Sequence, residues 1–132
     1  MILLDTHVAI WFTTDTKFGK RSMSIVEAAL NESNLAISAI SFWEVAMLVR
    51  KKRLRALRSA GEQRGKILAA GILELPVTGE ICIIAGELEG LHGDPADRFI
   101  AATAVVHDAT LVTADDRLLR WRHRVRRHNA EM

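Results

Sequence analysis

Residues 1–5 read MILLD. Four apolar residues with no polar alternation, closed by an acid, predict a short buried strand. Helical segments supply its cover. One is expected through Val8, Ile10 and Trp11, and another over 24–31. LAIS (35–38) reads as a second strand. From Ser41, the residues Phe42, Val45, Ala46, Leu48 and Val49 recur at helical spacing and run into a basic stretch. A further basic helix is predicted over 56–70. ILEL (72–75), closed by Pro76, is the third strand, and helices are expected near 79–89 and 95–107. ATLVT (109–113) is the fourth strand, and VRR (125–127) a short fifth. Strands alternating with helical segments predict an α/β fold, a parallel sheet between helix layers. No repeat, low-complexity tract or linker interrupts the pattern, so one domain over 1–132 is expected.

The chain has 132 residues, 49% hydrophobic and 26% charged, a composition suited to one globular core. No apolar run approaches the ~18 residues of a membrane span. The start lacks the basic region of a secretory signal, so a cytosolic protein is expected. Cys82 is the single cysteine, which excludes an internal disulfide. Its setting, ICIIA, predicts a small core residue. The net charge of +2 hides a segregation: residues 50–66 hold eight Lys or Arg and one acid, Glu62, whereas 67–97 hold six acids and no Lys or Arg. The stretch 117–127 then adds six arginines. Basic blocks of this kind suit a polyanion, although any single charge is adequately explained as a solvated helix face.

The acids are placed with more consequence. In DPADRFIAATA (94–104), Asp94 suits an N-cap, Pro95 the first turn, and Asp97 the dipole. SFWE (41–44) has the pattern of a capping box, with Ser41 as cap and Glu44 reaching back. Asp115 and Asp116 follow Thr113 as first-turn acids. Asp5 is the hardest to explain locally, because an acid ending a buried strand is desolvated. Taken singly, three of the four acids Asp5, Glu44, Asp97 and Asp115 have a sufficient structural reason. Taken together, all four fall at carboxyl ends of strands or at the helix starts beyond them, where parallel sheets bind ligands.

Clustered carboxylates repel one another unless a cation joins them. No His-rich or Cys-rich constellation accompanies these, which argues against zinc. Oxygen ligands suit Mg²⁺ or Mn²⁺. Such an ion activates water and stabilises charge on a phosphoryl group, so phosphodiester hydrolysis is the implied chemistry.

Four segments carry a family resemblance: ILLDTHVAIW, ISAISFWEVAML, DPADRFIAATA and TLVTADDRLL. In this order they resemble the signature segments of PIN-domain ribonucleases, and among those the VapC-type toxins of bacterial toxin–antitoxin pairs. The resemblance implies a three-layer α/β/α sandwich around a parallel sheet, and Mg²⁺- or Mn²⁺-dependent endonucleolytic cleavage of RNA. It matches Asp5 to the first acid, Glu44 to the acid of S-x-x-E, Asp97 to the aspartate before Arg98, and Asp115 to the acid of T-x-D, with Asp116 its neighbour. Thr6 and Thr113 match small hydroxyl positions that orient a carboxylate or water. Arg50, Lys51, Lys52 and Arg53 are candidate RNA contacts. Where the family often has kGrL this chain has KKRL (51–54), without the glycine. The resemblance further implies a homodimer and a small cognate antitoxin whose segment occupies an apolar groove and presents a basic side chain to the acids. Trp11, Phe42 and Trp43 are candidates for that groove or the dimer surface, with core packing the plain alternative.

Two other acidic α/β pockets fit poorly. A receiver domain needs paired acids near the first strand, and a haloacid-dehalogenase phosphatase needs D-x-D where this chain has His7. The non-enzymatic rival is a PIN-like module that binds RNA or protein without cleaving. Retention of all four acids argues against it.

Overall fold

The computed structural model describes residues 1–14, 17–52 and 59–132. Its elements are, in order, β1 (Ile2–Leu4), α1 (Thr6–Thr14), α2 (Lys20–Asn31), β2 (Leu35–Ser38), α3 (Ile40–Arg50) and α4 (Ala60–Ala69). The second half adds β3 (Leu73–Leu75), α5 (Gly79–Glu87), α6 (Pro95–His107), β4 (Thr110–Thr113), α7 (Asp116–Arg120) and β5 (Arg127–Asn129). The strands form one parallel sheet in the order β3-β2-β1-β4-β5.

The chain therefore builds outward from β1 to β3, returns to the other flank of β1, and builds outward again. Helices cover both faces of the sheet. Leu3, Ala36 and Leu111 pack with Ile100, Ala101 and Ala104 of α6. Leu4, Ile37 and Val112 pack with Val8 and Ala9 of α1, Val26 of α2 and Ile67 of α4. The result is the expected α/β/α sandwich. Each fully buried Leu or Val contributes about 1.5–3 kcal/mol of burial. Because both faces are apolar, burial alone barely distinguishes this register from a one-residue slip. The polar pair at the strand ends, Asp5 and Thr113, does distinguish it: Leu4 pairs with Val112, Asp5 N–H donates to the Val112 carbonyl at 3.0 Å, and the two side chains meet.

α6 starts as its sequence demands. Asp94 accepts the Asp97 N–H at 3.2 Å, and Pro95 occupies the first turn. Alanines at 101, 102 and 104 let this helix lie close to the sheet and to α5.

Three local expectations fail. The capping box at 41–44 does not form: the N-cap of α3 is Ala39, with no side-chain cap, and Ser41 lies buried inside the helix. Cys82 is exposed, because α5 turns Ile81 and Ala85 inward and leaves Cys82 and Ile83 outward. The last strand is Arg127–Asn129 and not 125–127. It is an edge strand with three half-buried polar side chains, so apolar patterning could not mark it, and Val125, which packs on the core, drew the expectation two residues too early.

The basic tail is partly consumed in holding this edge. Arg127 donates to the carbonyls of Leu118, Trp121 and His123, and Arg126 to the Asp108 carbonyl. The chain end then folds over α2, where Gly19 N–H donates to the Ala130 carbonyl at 2.9 Å. A Cβ at Gly19 would come within 2.5 Å of the Glu131 carbonyl oxygen, so only glycine permits this approach. The approach also carries Glu131 to a cleft at the carboxyl edge of the sheet. No helix among the described residues is long and apolar enough to cross a membrane.

Candidate active site

That cleft opens where the strand order reverses, at the carboxyl ends of β1 and β4, the place where parallel sheets bind ligands. Its lining includes Asp5, Glu44, Asp94, Asp97, Asp115 and Glu131. Asp5 directly precedes α1. Its carbonyl accepts the Ala9 N–H, and its Oδ1 accepts the Thr6 N–H at 2.8 Å. It thus makes a capping contact that its sequence position did not suggest. Its Oδ2 accepts the Thr113 hydroxyl at 2.6 Å. Burial nevertheless dominates and raises the Asp5 pKa, against the lowering effect of these hydrogen bonds.

Glu44 projects from the second turn of α3. Its Oε1 is buried with no hydrogen-bond partner among the described residues, while the Thr6 hydroxyl donates to Ser41 Oγ at 2.8 Å. Burial raises the Glu44 pKa against the lowering effect of the Thr6 hydroxyl, and the Asp5 charge adds to the rise. A buried carboxylate oxygen is costly to leave unpaired, and among the described residues none pairs with this one.

Asp97, on the first turn of α6, has its Oδ2 2.7 Å from His92 Nε2 and 3.8 Å from the Arg117 guanidinium. Burial pushes its pKa up to about 6; His92 opposes this, and the charges of Asp5, Asp94 and Asp115 reinforce it. Asp115 behaves differently. It is the N-cap of α7, accepts the Arg117 N–H at 2.8 Å and pairs with the Arg117 side chain at 3.3 Å. Burial raises its pKa, but the Arg117 bonds together outweigh burial and hold it low.

Three carboxyls with raised pKa and one carboxylate held low line one cleft, a chemistry that suits a hard divalent cation. Among the described residues, Asp97 and Asp115, with His92, are the ones whose donor atoms come within 4.8 Å of one another. Among the described residues, Arg117 is the Lys or Arg that pairs with this cluster; it is largely exposed and pairs with Asp97 and Asp115.

The PIN domain family description matches residues 2–123. The chain belongs to the PIN-domain family. Ribonuclease VapC22 of Mycobacterium tuberculosis (strain ATCC 25618 / H37Rv) is 35% identical over 123 residues, 92% of either sequence. Among solved structures, VapBC-1 from nontypeable Haemophilus influenzae matches with TM-score 0.71 and 20% identity over 100% of both chains. VapBC2 from Rickettsia felis, bound to a DNA fragment from their promoter, matches with TM-score 0.69 and 23% identity over 98% of both. At these identities the two structures speak to the fold alone.

In this PIN domain the four acids Asp5, Glu44, Asp97 and Asp115 line one cleft, and Thr6 and Thr113 bond within its wall. Asp116 is exposed and is not among the lining residues, which makes Asp115 the cleft acid of the pair. Arg98 does not line the cleft either. Its guanidinium donates to the carbonyls of Ala85, Leu88 and Leu91 (2.8, 2.6 and 2.9 Å), fixing the connection from α5 to α6. Arg50, Lys51 and Lys52 are exposed at the far end of α3, where Lys51 shares a groove with Trp43 and Glu44. Arg53 lies outside the described residues. Trp11 and Phe42 pack against the core, Trp11 also lining the cleft, whereas Trp43 is 50% exposed.

Sequence reasoning overlooked His92, Arg117, Asp94 as a lining residue, and Glu131. Only His92 left a usable signal, as a lone histidine in the short turn before DPAD. Arg117 is hidden by pattern within the basic tail, and Glu131 reaches the cleft only through the folded-back chain end.

Proposed function

We propose that this chain is a divalent-metal-dependent endoribonuclease, the toxin of a type II toxin–antitoxin pair. The observation that carries this reading is the convergence of Asp5, Glu44, Asp97 and Asp115 on one cleft, with a buried Glu44 oxygen that has no partner among the described residues. The name Ribonuclease borne by the 35% identical relative supports RNA as substrate. The resemblance to VapC-type toxins supports a cognate antitoxin as partner, and the structures of like fold carry VapBC descriptions.

In this reading Asp5, Asp97, Glu44 and Asp115 hold Mg²⁺, with Mn²⁺ a substitute. The bound ion lowers the pKa of a water and offsets charge developing on the phosphoryl group. Thr113 aims the Asp5 carboxylate and favours its ionised form against burial, and Thr6 steadies the same carboxylate through its backbone N–H. The exposed Arg50, Lys51 and Lys52 contact the RNA backbone, as do Arg120 and Arg122, which share a hollow with His92 and Arg117. The working unit is one domain over 1–132, a homodimer in the cytosol, silenced when the antitoxin covers the cleft and the half-exposed Trp43 beside it.

The test uses tag-free protein purified away from any antitoxin. It should cut single-stranded RNA in Mg²⁺ or Mn²⁺ and stop in EDTA. Equal cleavage in both buffers overturns the metal mechanism. RNA binding without cleavage in either returns the chain to a binding module.

A further inference from the structure

Sequence patterning pointed to oxygen ligands alone. His92 changes that. Among the described residues, its ring nitrogen, one Asp97 oxygen and one Asp115 oxygen all lie within 4.8 Å of one another. A small divalent ion holds its donors at about 2.1 Å, so neighbouring donors stand about 3 Å apart and opposite ones about 4.2 Å. The 2.7 Å between His92 Nε2 and Asp97 Oδ2 is close to one edge of such a shell. The third donor, on Asp115, lies within 4.8 Å of both, so a small side-chain adjustment brings it into the same shell.

The histidine is also held in place. Leu91 before it is buried, and Arg98 donates to the carbonyls of Leu91 and His92 at 2.9 and 3.3 Å. Its side chain is 18% exposed and lines the hollow beside the cleft, with Nε2 turned toward Asp97. A histidine serving only to orient Asp97 would need contact with that carboxyl alone. This one is also within 4.8 Å of an Asp115 oxygen.

We propose that His92 is a direct nitrogen ligand of the metal centre, which makes the centre a mixed nitrogen–oxygen site selective for Mn²⁺ over Mg²⁺. The inference rests on the proposed metal-dependent function and goes beyond it. Mg²⁺ retains oxygen ligands and water, whereas imidazole suits the transition ions and strengthens their binding. The four-acid set alone carries no such preference.

The experiment uses the tag-free full chain, wild type and His92→Gln, with Mn²⁺ alone as the probe. Glutamine keeps an N–H for Asp97 but offers no imidazole nitrogen. Pulsed electron paramagnetic resonance of bound Mn²⁺ should show ¹⁴N coupling in the wild type and none in the variant. Calorimetric titration should show Mn²⁺ affinity falling about tenfold or more in His92→Gln, while Mg²⁺ affinity changes less than about threefold. Mn²⁺ binding without nitrogen coupling in the wild type overturns the ligand role and leaves the acid site standing. So does coupling that survives in the variant, which would move the nitrogen to His7 on the cleft wall. Failure of the wild type to bind Mn²⁺ overturns the metal centre itself. If His92→Gln does not fold, the wild-type spectrum decides, with His92→Asn as the second variant.

Discussion

The Thr113 hydroxyl donates to Asp5 Oδ2 at 2.6 Å while its oxygen accepts the Asp115 N–H at 3.0 Å. One side chain thus joins the end of β1 to the end of β4 and to the cap of α7. Thr113 is fully buried, so no water can replace the lost partners cheaply. Thr113→Val keeps the shape and removes both bonds. It should lower stability by about 1–3 kcal/mol, the cost of leaving buried polar groups unpaired. Thr113→Ser should recover most of that loss. Urea melts of the three proteins check this, and an unchanged valine variant would show that the pair does not fix the register.

The raised carboxyls dictate how stability of the metal-free protein varies with pH. A carboxyl whose folded pKa exceeds its unfolded one holds its proton more tightly when folded, so folding is favoured at low pH and loses that advantage as pH rises. For Asp97 the window runs from about 4 to about 6, and the penalty is complete above it. Asp5 and Glu44 act in the same direction. Asp115 acts oppositely, its contribution being lost only in stronger acid. In EDTA, melting temperature should therefore fall between about pH 4 and 6. Adding Mg²⁺ or Mn²⁺ should restore it, with a larger gain at about pH 7.5 than at about pH 5. Asp5→Asn should melt no lower than wild type in EDTA and gain less from metal. A flat profile that no metal shifts would contradict the shared site.

The sheet and its covering helices were legible in the sequence because their code is apolar: MILL, LAIS and ATLVT are buried runs, and the helices between them repeat at helical spacing. The four cleft acids were legible because strand ends and helix starts converge in any parallel sheet. What patterning missed depends on contacts between distant segments. β5 is polar and held by arginine-to-carbonyl bonds, so it has no hydrophobic signature. Glu44 carries a capping-box pattern, yet Ser41 is already committed to Thr6, far back in the chain. His92 stands in the turn before Asp97, and the Arg98 bonds to that turn help bring the two together.

Lys52 adopts the left-handed conformation, with φ of 57°, just past the end of α3. This is the position at which the resembling family often carries glycine. A lysine there bears a steric cost that glycine avoids, partly offset by the greater freedom of glycine when unfolded. Lys52→Gly should therefore stabilise the protein by about 1 kcal/mol. If Lys52 also contacts RNA, the same variant should bind RNA more weakly and with a shallower salt dependence. Higher stability with unchanged salt dependence would assign the residue to the turn alone.

Arg117 is the cation that the cleft provides for itself. Its side chain lies 3.3 Å from Asp115 and 3.8 Å from Asp97, two of the proposed metal ligands. In the absence of metal it relieves the repulsion between them, and its bonds keep Asp115 ionised. Once a divalent ion arrives, the same positive charge opposes it. Arg117→Met should therefore have opposite effects on the two forms. In EDTA the variant should melt lower than wild type, because two carboxylates lose their counter-charge. Its affinity for Mg²⁺ should rise by about two- to fivefold, a modest factor because the guanidinium is mostly exposed and screened. The backbone N–H of residue 117 still caps toward Asp115, so α7 should keep its start. Calorimetric Mg²⁺ titration alongside melting curves in EDTA tests both effects. Weaker Mg²⁺ binding in the variant would show that Arg117 holds the acids in place for the ion and does not compete with it.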